Sequence, residues 1–302
     1  MKGLGDKRLL WIDFDRDTPD ADELAAKIDE LLGLGMAELR REDPDAGRAR
    51  LTRTEDRIHL TVEAIEGKGS DDGPLVRREI DLIAGENVVI SIHSGESRTL
   101  ERYREGLEGE TQLGVLTAGD LLSSFVEEVL DGYFLVVEQI EREIDDLDQR
   151  ALYGRKGDDV LGRIVDLRHK IGLVRRTLAP HRAALSTLAL PEMRAAETVG
   201  QPWPGLVDRL EAAMDAIEGL RDSLLGTFDI HMGRVSQRAN DVMRALTLLS
   251  AVLLPAVVLA GVMGMNFKLD FFDATGNFWV VIGAMALLAV SILAVARWRD
   301  WL

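Results

Sequence analysis

The sequence contains no cysteine among its 302 residues. This absence excludes a disulfide framework, thiolate zinc sites and cysteine nucleophiles. An excess of basic charge is also missing, since the formal net charge is −16 at pH 7. A nucleic-acid partner is therefore not expected, because a phosphate backbone requires a basic surface, and cations are better matched. The alternative is an acidic surface that only keeps a soluble portion dispersed.

Charge is distributed unevenly, and few ionisable residues follow Arg244. The amino end, "MKGLGDKRLLWIDFD", has no uninterrupted apolar core and brings in acidic residues early, so it does not predict a secretion signal. We therefore expect an acidic, aqueous portion followed by an apolar portion, with the amino terminus in the cytoplasm.

Residues 1–118 predict a small α/β domain. Four short runs with alternating or β-branched character predict strands: "RLLWIDFD", "RIHLTVEAI", "REIDLIAG" and "NVVISIHSG". Two segments with helical spacing, "DADELAAKIDELLGLG" and "ESRTLERYREGLEG", end in glycine. His59 and His93 lie in strand patterns without a paired nucleophile, so no catalytic set is indicated.

Residues 119–243 predict a stalk of long helices. Two apolar stripes with spacing of three and four predict an antiparallel hairpin, in which Pro180 is expected to kink the second helix. The first stripe is Leu122, Val126, Val129, Tyr133, Val137, Ile140, Ile144 and Leu147, and the second is Val160, Ile164, Leu167, Ile171, Val174, Leu178, His181, Leu185 and Leu188. A third helix starts near "QPWPGL" and is expected to continue into the apolar run.

Two uncharged runs predict membrane-spanning helices, at 245–265 and 278–296. Each has about the 20 residues needed to cross a hydrocarbon core of about 30 Å. The predicted segments are a first span at 244–265, an outer loop at 266–277, a second span at 278–297 and a tail at 298–302. Basic residues flank the spans on one side only, which predicts that both termini face the cytoplasm. These are Arg234, Arg238, Arg244, Arg297 and Arg299.

Two helices cannot enclose a water-filled path, so a conducting protein must assemble from several copies. One stripe of the first span would face the axis of such a ring. It offers a polar entry, a hydrophobic constriction able to gate by expelling water, and an outer polar collar. The entry is Asn240, the constriction is Met243, Leu246, Leu254 and Val257, and the collar is Gly264, Met265 and Asn266. The alternative is a non-conducting anchor for a cytoplasmic scaffold.

The collar chemistry suits a hydrated divalent ion. Mg2+ gives up its waters reluctantly and prefers hard oxygen ligands, which the Asn266 amide and the last helical carbonyls provide. Glycine at position 264 lets the backbone leave helical geometry at little steric cost.

The segment "RVSQRANDVMRALTLLSAVLLPAVVLAGVMGMN", followed by a second span and the tail "ARWRDWL", resembles the CorA metal-ion transporter family. The resemblance implies a funnel-shaped homopentamer with an α+β cytoplasmic domain, a long helical stalk and two transmembrane helices. It implies a Mg2+ channel in the cytoplasmic membrane that also carries Co2+ or Ni2+, with the Gly-Met-Asn triplet at 264–266 as selectivity site. The alternative within this resemblance is a ZntB-like Zn2+ transporter, with or without proton coupling.

The acidic segment "EQIEREIDDLD" suggests regulation by cytoplasmic Mg2+ bridging neighbouring subunits, with Asp145, Asp146 and Asp148 as ligands. The alternative is the solvated face of a helix. No cofactor is expected apart from the transported ion, and the absence of a nucleophile or acid–base pair argues against an enzyme.

Overall fold

The computed structural model describes residues 9–32, 49–54, 57–67, 73–109, 117–153, 158–194, 203–265 and 275–299. The chain divides into two compact units, Met1–Phe228 and Asp229–Leu302. The finer domain boundaries expected from the sequence stay a prediction.

The first unit contains a five-stranded sheet with the order β1-β5-β4-β3-β2. Its strands are β1 Leu10–Asp15, β2 Arg50–Thr54, β3 Arg57–Gly67, β4 Leu75–Ala84 and β5 Val88–His93. β1 and β5 are parallel, whereas the other pairs are antiparallel. The four predicted strands are present, but β2 was not predicted, because its sequence RLTRT is short and polar. Among the described strands it lies at the edge of the sheet, next to β3.

Helices cover both faces of this sheet. α1, Ala21–Leu32, packs on one face, where Phe14, Ile90 and Ile92 form the apolar core with Ala25. On the other face lie α2, Arg98–Gly109, and the long helix α3, Ala118–Tyr153. The Tyr103 ring links these helices to the sheet, because it contacts Trp11 and Phe125 edge-on at centroid distances of 5.5 and 4.9 Å.

The helical hairpin follows the predicted stripes. α3 is followed by α4, Val160–Leu178, α5, His181–Leu188, and the single turn α6, Pro191–Arg194. Every residue of the two predicted stripes is buried. Thr117 and Asp120 form a capping box at the start of α3, since each side chain accepts the other's backbone N–H, at 3.2 and 3.0 Å.

Pro180 interrupts the second predicted helix, as expected, and Ala179 and Pro180 keep helical dihedral angles at the break. α4 ends at Leu178, and α5 begins at His181, directly after the proline. Proline has no backbone N–H and clashes with the preceding turn, so the chain starts a new helix here.

α7 runs without interruption over Trp203–Met263, as predicted, and α8 covers Thr275–Trp298. Along the first part of α7, Leu210, Ile217 and Leu224 are buried in the first unit. Phe228, one turn after Leu224, is 38% exposed.

Truncation of Leu122 to alanine should destabilise the first unit by about 2–5 kcal/mol, because this side chain is fully buried and its loss leaves a cavity. The matched control is Leu135→Ala on the same helix, where the side chain is 50% exposed. The control should change stability by about 0.5 kcal/mol or less. Thermal unfolding of both variants measures the difference, and equal losses would contradict the packing described for α3.

Candidate functional site

The end of α7 and the whole of α8 are long and apolar enough to cross a membrane, and their most apolar windows are not buried within the structure. Both coincide with the predicted spans. In water these apolar side chains would be exposed to solvent at a large free-energy cost, whereas in a bilayer the lipid chains cover them. The second unit is therefore a pair of candidate membrane helices.

Each of these helices has one partly buried face. On α7 this face consists of Leu248, Ala251, Val252, Pro255, Ala256, Leu259 and Met263. On α8 it consists of Asn277, Val281, Met285, Ala289, Ile292 and Ala296, of which Ala296 is 6% exposed. Spacing of three and four places each set on one side of its helix. These two faces are the ones that the chain itself partly shields from solvent.

The predicted pore stripe lies on another side of α7 and is not covered. At about 100° per residue, Asn240 and the four constriction residues span an arc of about 120°, roughly opposite the partly buried face. The exposed fractions are 59% for Met243, 62% for Leu246, 69% for Leu254 and 66% for Val257. Asn240 is exposed as well. The structure thus places the predicted residues together on a face that one protomer leaves free.

The end of α7 remains helical through Gly264, whose N–H donates to Ala260 O at 2.9 Å. Met265 N–H instead donates to Val262 O at 3.2 Å, which tightens the last turn. Gly264 does not adopt a positive φ, and the expected role of this glycine in letting the chain leave the helix stays a prediction. Asn266 lies outside the described residues.

The three predicted regulatory aspartates do not converge on one point. Asp145 is exposed, Asp146 forms an ion pair with Arg150 at 2.7 Å, and Asp148 has one buried carboxylate oxygen without a hydrogen-bond partner. In the described parts of the chain, no three histidine or carboxylate side chains are arranged to hold a metal. A cleft of about 310 Å³ lies beside them, lined by Glu143, Asp146, Leu147, Arg163, Asp166, Leu167, His169 and Lys170.

One polar cluster in the sheet has the residue types of a hydrolase triad but the wrong connections. Ser91 donates to Asp13 at 2.6 Å, and His93 Nε2 lies 3.4 Å from the same carboxylate. Burial opposes protonation of His93, but its bond to Asp13 and the carboxylate charge outweigh this and raise the pKa of His93. His93 contacts Asp13 and Gly95 O through its two ring nitrogens, so neither nitrogen is placed to act as the base of Ser91. The cluster is structural.

The packing faces of α7 and α8 were missed by the sequence analysis. Their signal is the spacing of four residues at Asn277, Val281, Met285 and Ala289. It is weak because nearly all neighbouring residues are also apolar, so hydropathy does not distinguish the faces.

Comparison with known proteins places the chain among membrane transporters. The sequence model of one family, described as "CorA-like Mg2+ transporter protein", matches residues 6–297. A relative from Thermotoga maritima, "Cobalt/magnesium transport protein CorA", is 27% identical over 232 residues, which are 76% of this chain and 66% of that protein.

Solved structures share the fold. The complete CorA magnesium transporter from Methanocaldococcus jannaschii matches with a TM-score of 0.78 at 21% identity, over 98% of this chain and 92% of that one. The ZntB cytoplasmic domain from Vibrio parahaemolyticus matches with a TM-score of 0.57 at 16% identity, over 77% and 91%. The predicted architecture of an amino-terminal α+β domain, a long helical stalk and two apolar helices is therefore confirmed.

Replacement of Gly264 by alanine should leave folding and assembly unchanged. The added methyl group would meet Ala260 O at 3.4 Å and Gly261 O at 3.6 Å, which are ordinary contacts. The control is Gly261→Ala, where the methyl group meets nothing within 4 Å. Both variants should match the parent in thermal midpoint and elution volume in detergent. A selective loss of assembly in Gly264→Ala would show that another backbone approaches this position closely.

Proposed function

Because the chain belongs to the family of CorA-like Mg2+ transporter proteins, we propose that it is a divalent-cation channel of the cytoplasmic membrane. Its cargo is Mg2+, with Co2+ and Ni2+ as further ions. It is not an enzyme. The position of the predicted pore stripe, on the face of α7 that is not packed within the protomer, carries this proposal.

Several copies must surround one axis for this function. One protomer contributes two membrane helices, and polar groups or water in the bilayer need protein on every side away from lipid. With α7 nearest the axis, its uncovered stripe lines the path and α8 lies outside it. A homopentamer, the assembly implied by the family resemblance, meets this requirement.

The path begins at Asn240 and narrows at the constriction. A ring of amides at Asn240 can replace some water around an incoming cation without holding it by charge. Above it, Met243, Leu246, Leu254 and Val257 form successive apolar rings, which stop conduction when water leaves them. Thr247 adds little polarity, because its hydroxyl donates to Met243 O at 2.8 Å.

Selection takes place at the Gly264, Met265 and Asn266 collar. Mg2+ keeps most of its waters, so neutral oxygens that bind the hydrated ion suit it better than a tight carboxylate cage. The last carbonyls of any helix lack intrahelical donors, and α7 ends at Met263, directly before this triplet. The amide of Asn266 completes the ring in this proposal.

Both termini face the cytoplasm in this arrangement. Arg234, Arg238 and Arg244 precede the first span, and Arg297 and Arg299 end the second, so the basic residues flank the same side. Cytoplasmic Mg2+ at Asp145, Asp146 and Asp148 is proposed to bridge neighbouring subunits. The unpaired buried oxygen of Asp148 favours this residue among the three.

Zn2+ transport is the second candidate, since the first unit also shares its fold with a ZntB cytoplasmic domain. A likeness at 16% identity concerns the fold alone, so Mg2+ leads. Proteoliposomes loaded with ion-sensitive dyes distinguish the two by comparing Mg2+, Co2+ and Zn2+ uptake with and without a pH gradient. Absence of any flux would favour a non-conducting scaffold.

Replacement of Asn266 by alanine should reduce Mg2+ uptake to the background of empty liposomes while leaving assembly intact, because the collar loses its amide oxygens. The matched control is Asn277→Ala, an amide at the start of α8. Uptake by the control should remain close to that of the parent. Normal Mg2+ uptake by Asn266→Ala would show that the Asn266 amide is not part of the selectivity site.

Cysteine substitution should distinguish pore-facing positions from other positions. Because the chain has no cysteine, a thiol reagent reacts only at the introduced residue. Leu254 and Leu249 are 69% and 56% exposed in the protomer but lie about 140° apart around α7. Cd2+, a small thiol-binding cation, should inhibit flux through Leu254→Cys at least tenfold more strongly than through Leu249→Cys. Equal inhibition of both variants would contradict the assigned face.

A further inference from the structure

One residue of β3, Glu63, is bound through its backbone by two helices. The described part of β2 pairs with β3 only as far as Thr61. Beyond this point the Glu63 N–H donates to His181 Nε2 at 3.0 Å, and the Tyr133 hydroxyl donates to Glu63 O at 2.7 Å. Side chains from α5 and α3 thus provide hydrogen-bond partners for the Glu63 N–H and C=O, which as buried backbone groups need them. Glu63 fastens the sheet to both helices.

The bond from Glu63 depends on a neutral His181. Its Nδ1 lies 3.1 Å from Leu178 O, which can only accept, so the ring proton is on Nδ1 and Nε2 is free to accept. The ring is 1% exposed, and this burial lowers the pKa of His181 to about 4. A second proton on Nε2 would remove the acceptor of the Glu63 N–H.

The carboxyl group of Glu63 is also buried, with a side chain that is 1% exposed. Glu79 lies directly opposite it on β4, and Arg77 Nε is 3.2 Å from its Oε1. Directly opposed like charges destabilise a strand pair. Burial raises the pKa of Glu63 to about 7, and Glu79 adds to this effect while Arg77 opposes it.

Few other ionisable groups act on this position. Burial raises the pKa of Tyr133 well above its usual value, so the hydroxyl stays a neutral donor. Arg16 lies 4.0 Å from Glu79 and also pairs with Asp81, which accepts from His59 and Thr61. The buried face of α4, which packs on β3, carries no ionisable side chain.

We propose that Glu63 and His181 form a proton-sensitive joint between the sheet and the helices α3 and α5. The joint is tightest when the Glu63 carboxyl is protonated and the His181 ring is neutral. It lies wholly in the first unit and does not depend on which ion, if any, the chain conducts.

The two groups respond to pH in opposite directions. A raised pKa at Glu63 contributes stability that is complete below about 4.5 and is lost as pH rises through about 7. A lowered pKa at His181 contributes stability that is present above about 6.5 and is lost as pH falls towards about 4. Between about 4.5 and 6.5 the two effects offset each other, so the joint tolerates mild acid and loosens as pH rises through about 7.

Hydrogen exchange of the full chain in lipid nanodiscs tests the joint. The readout is the protection factor of peptides from β3 between pH 5 and 8, with observed rates divided by the intrinsic rate at each pH. Glu63→Gln mimics the protonated carboxyl and removes the Glu63 response. Only the His181 response then remains, so the protection factor should fall as pH falls. His181→Gln removes the His181 response. Only the Glu63 response then remains, so the protection factor should fall as pH rises. Each slope should approach, at most, about tenfold per pH unit.

Two neighbouring variants show whether the response belongs to Glu63. In the His181→Gln background, Arg77→Gln should move the midpoint of the Glu63 response to higher pH, and Glu79→Gln should move it to lower pH. Both side chains are partly exposed, so these variants should fold. The slopes are compared within each variant, so a uniform loss of stability does not affect them. Identical pH profiles in the parent, Glu63→Gln and His181→Gln, or a midpoint that neither neighbour moves, would overturn the proposal.

Discussion

Backbone polar groups inside a bilayer must find partners without water, and this constraint determines how the second unit can work. The two helices satisfy their own backbones, yet one protomer leaves a face of α7 uncovered from Asn240 to Val257. If this face contacted lipid, its apolar side chains would be well solvated, but the polar residues at its ends would not. Around a shared axis it becomes a path with an amide entrance, apolar rings and an oxygen-rich exit. The same helix can then span the membrane and line a pore without any charged residue in its core.

Not all of the 52 aspartates and glutamates are available to cations. Asp13 is bound by Arg104 and Ser91, and the Glu66 carboxylate accepts the Thr99 N–H at 3.1 Å near the start of α2. Burial opposes the charge of Asp81, but its bonds with His59 and Thr61 lower the pKa of that carboxyl. These groups hold the first unit together. Attraction of cations therefore depends on exposed carboxylates such as Asp145.

Periodicity predicted the helices well because long helices with one apolar stripe repeat their signal over many turns. The stripes from Leu122 to Leu147 and from Val160 to Leu188 are buried as expected. β2 was missed because a strand of five residues with a single apolar side chain, Leu51, carries no such repeat. The interruption at Pro180 was expected, because proline has no backbone N–H to continue the helical hydrogen bonds. Because the spans are uniformly apolar, hydropathy did not show which face of α8 is partly buried. The bond between Glu63 and His181 joins residues 118 positions apart, so no local sequence pattern predicts it.

α3 connects the two features of the first unit that are proposed to be regulatory. Tyr133 binds the Glu63 joint, and three turns further along the same 36-residue helix lie Asp145, Asp146 and Asp148. A continuous helix moves as a body over such a distance, so an equilibrium that shifts α3 at one place shifts it at the other. Coupling between two binding sites is reciprocal. If a cation at the aspartates favours one position of α3, it must change the proton affinity of Glu63 by the same factor by which the proton changes cation affinity.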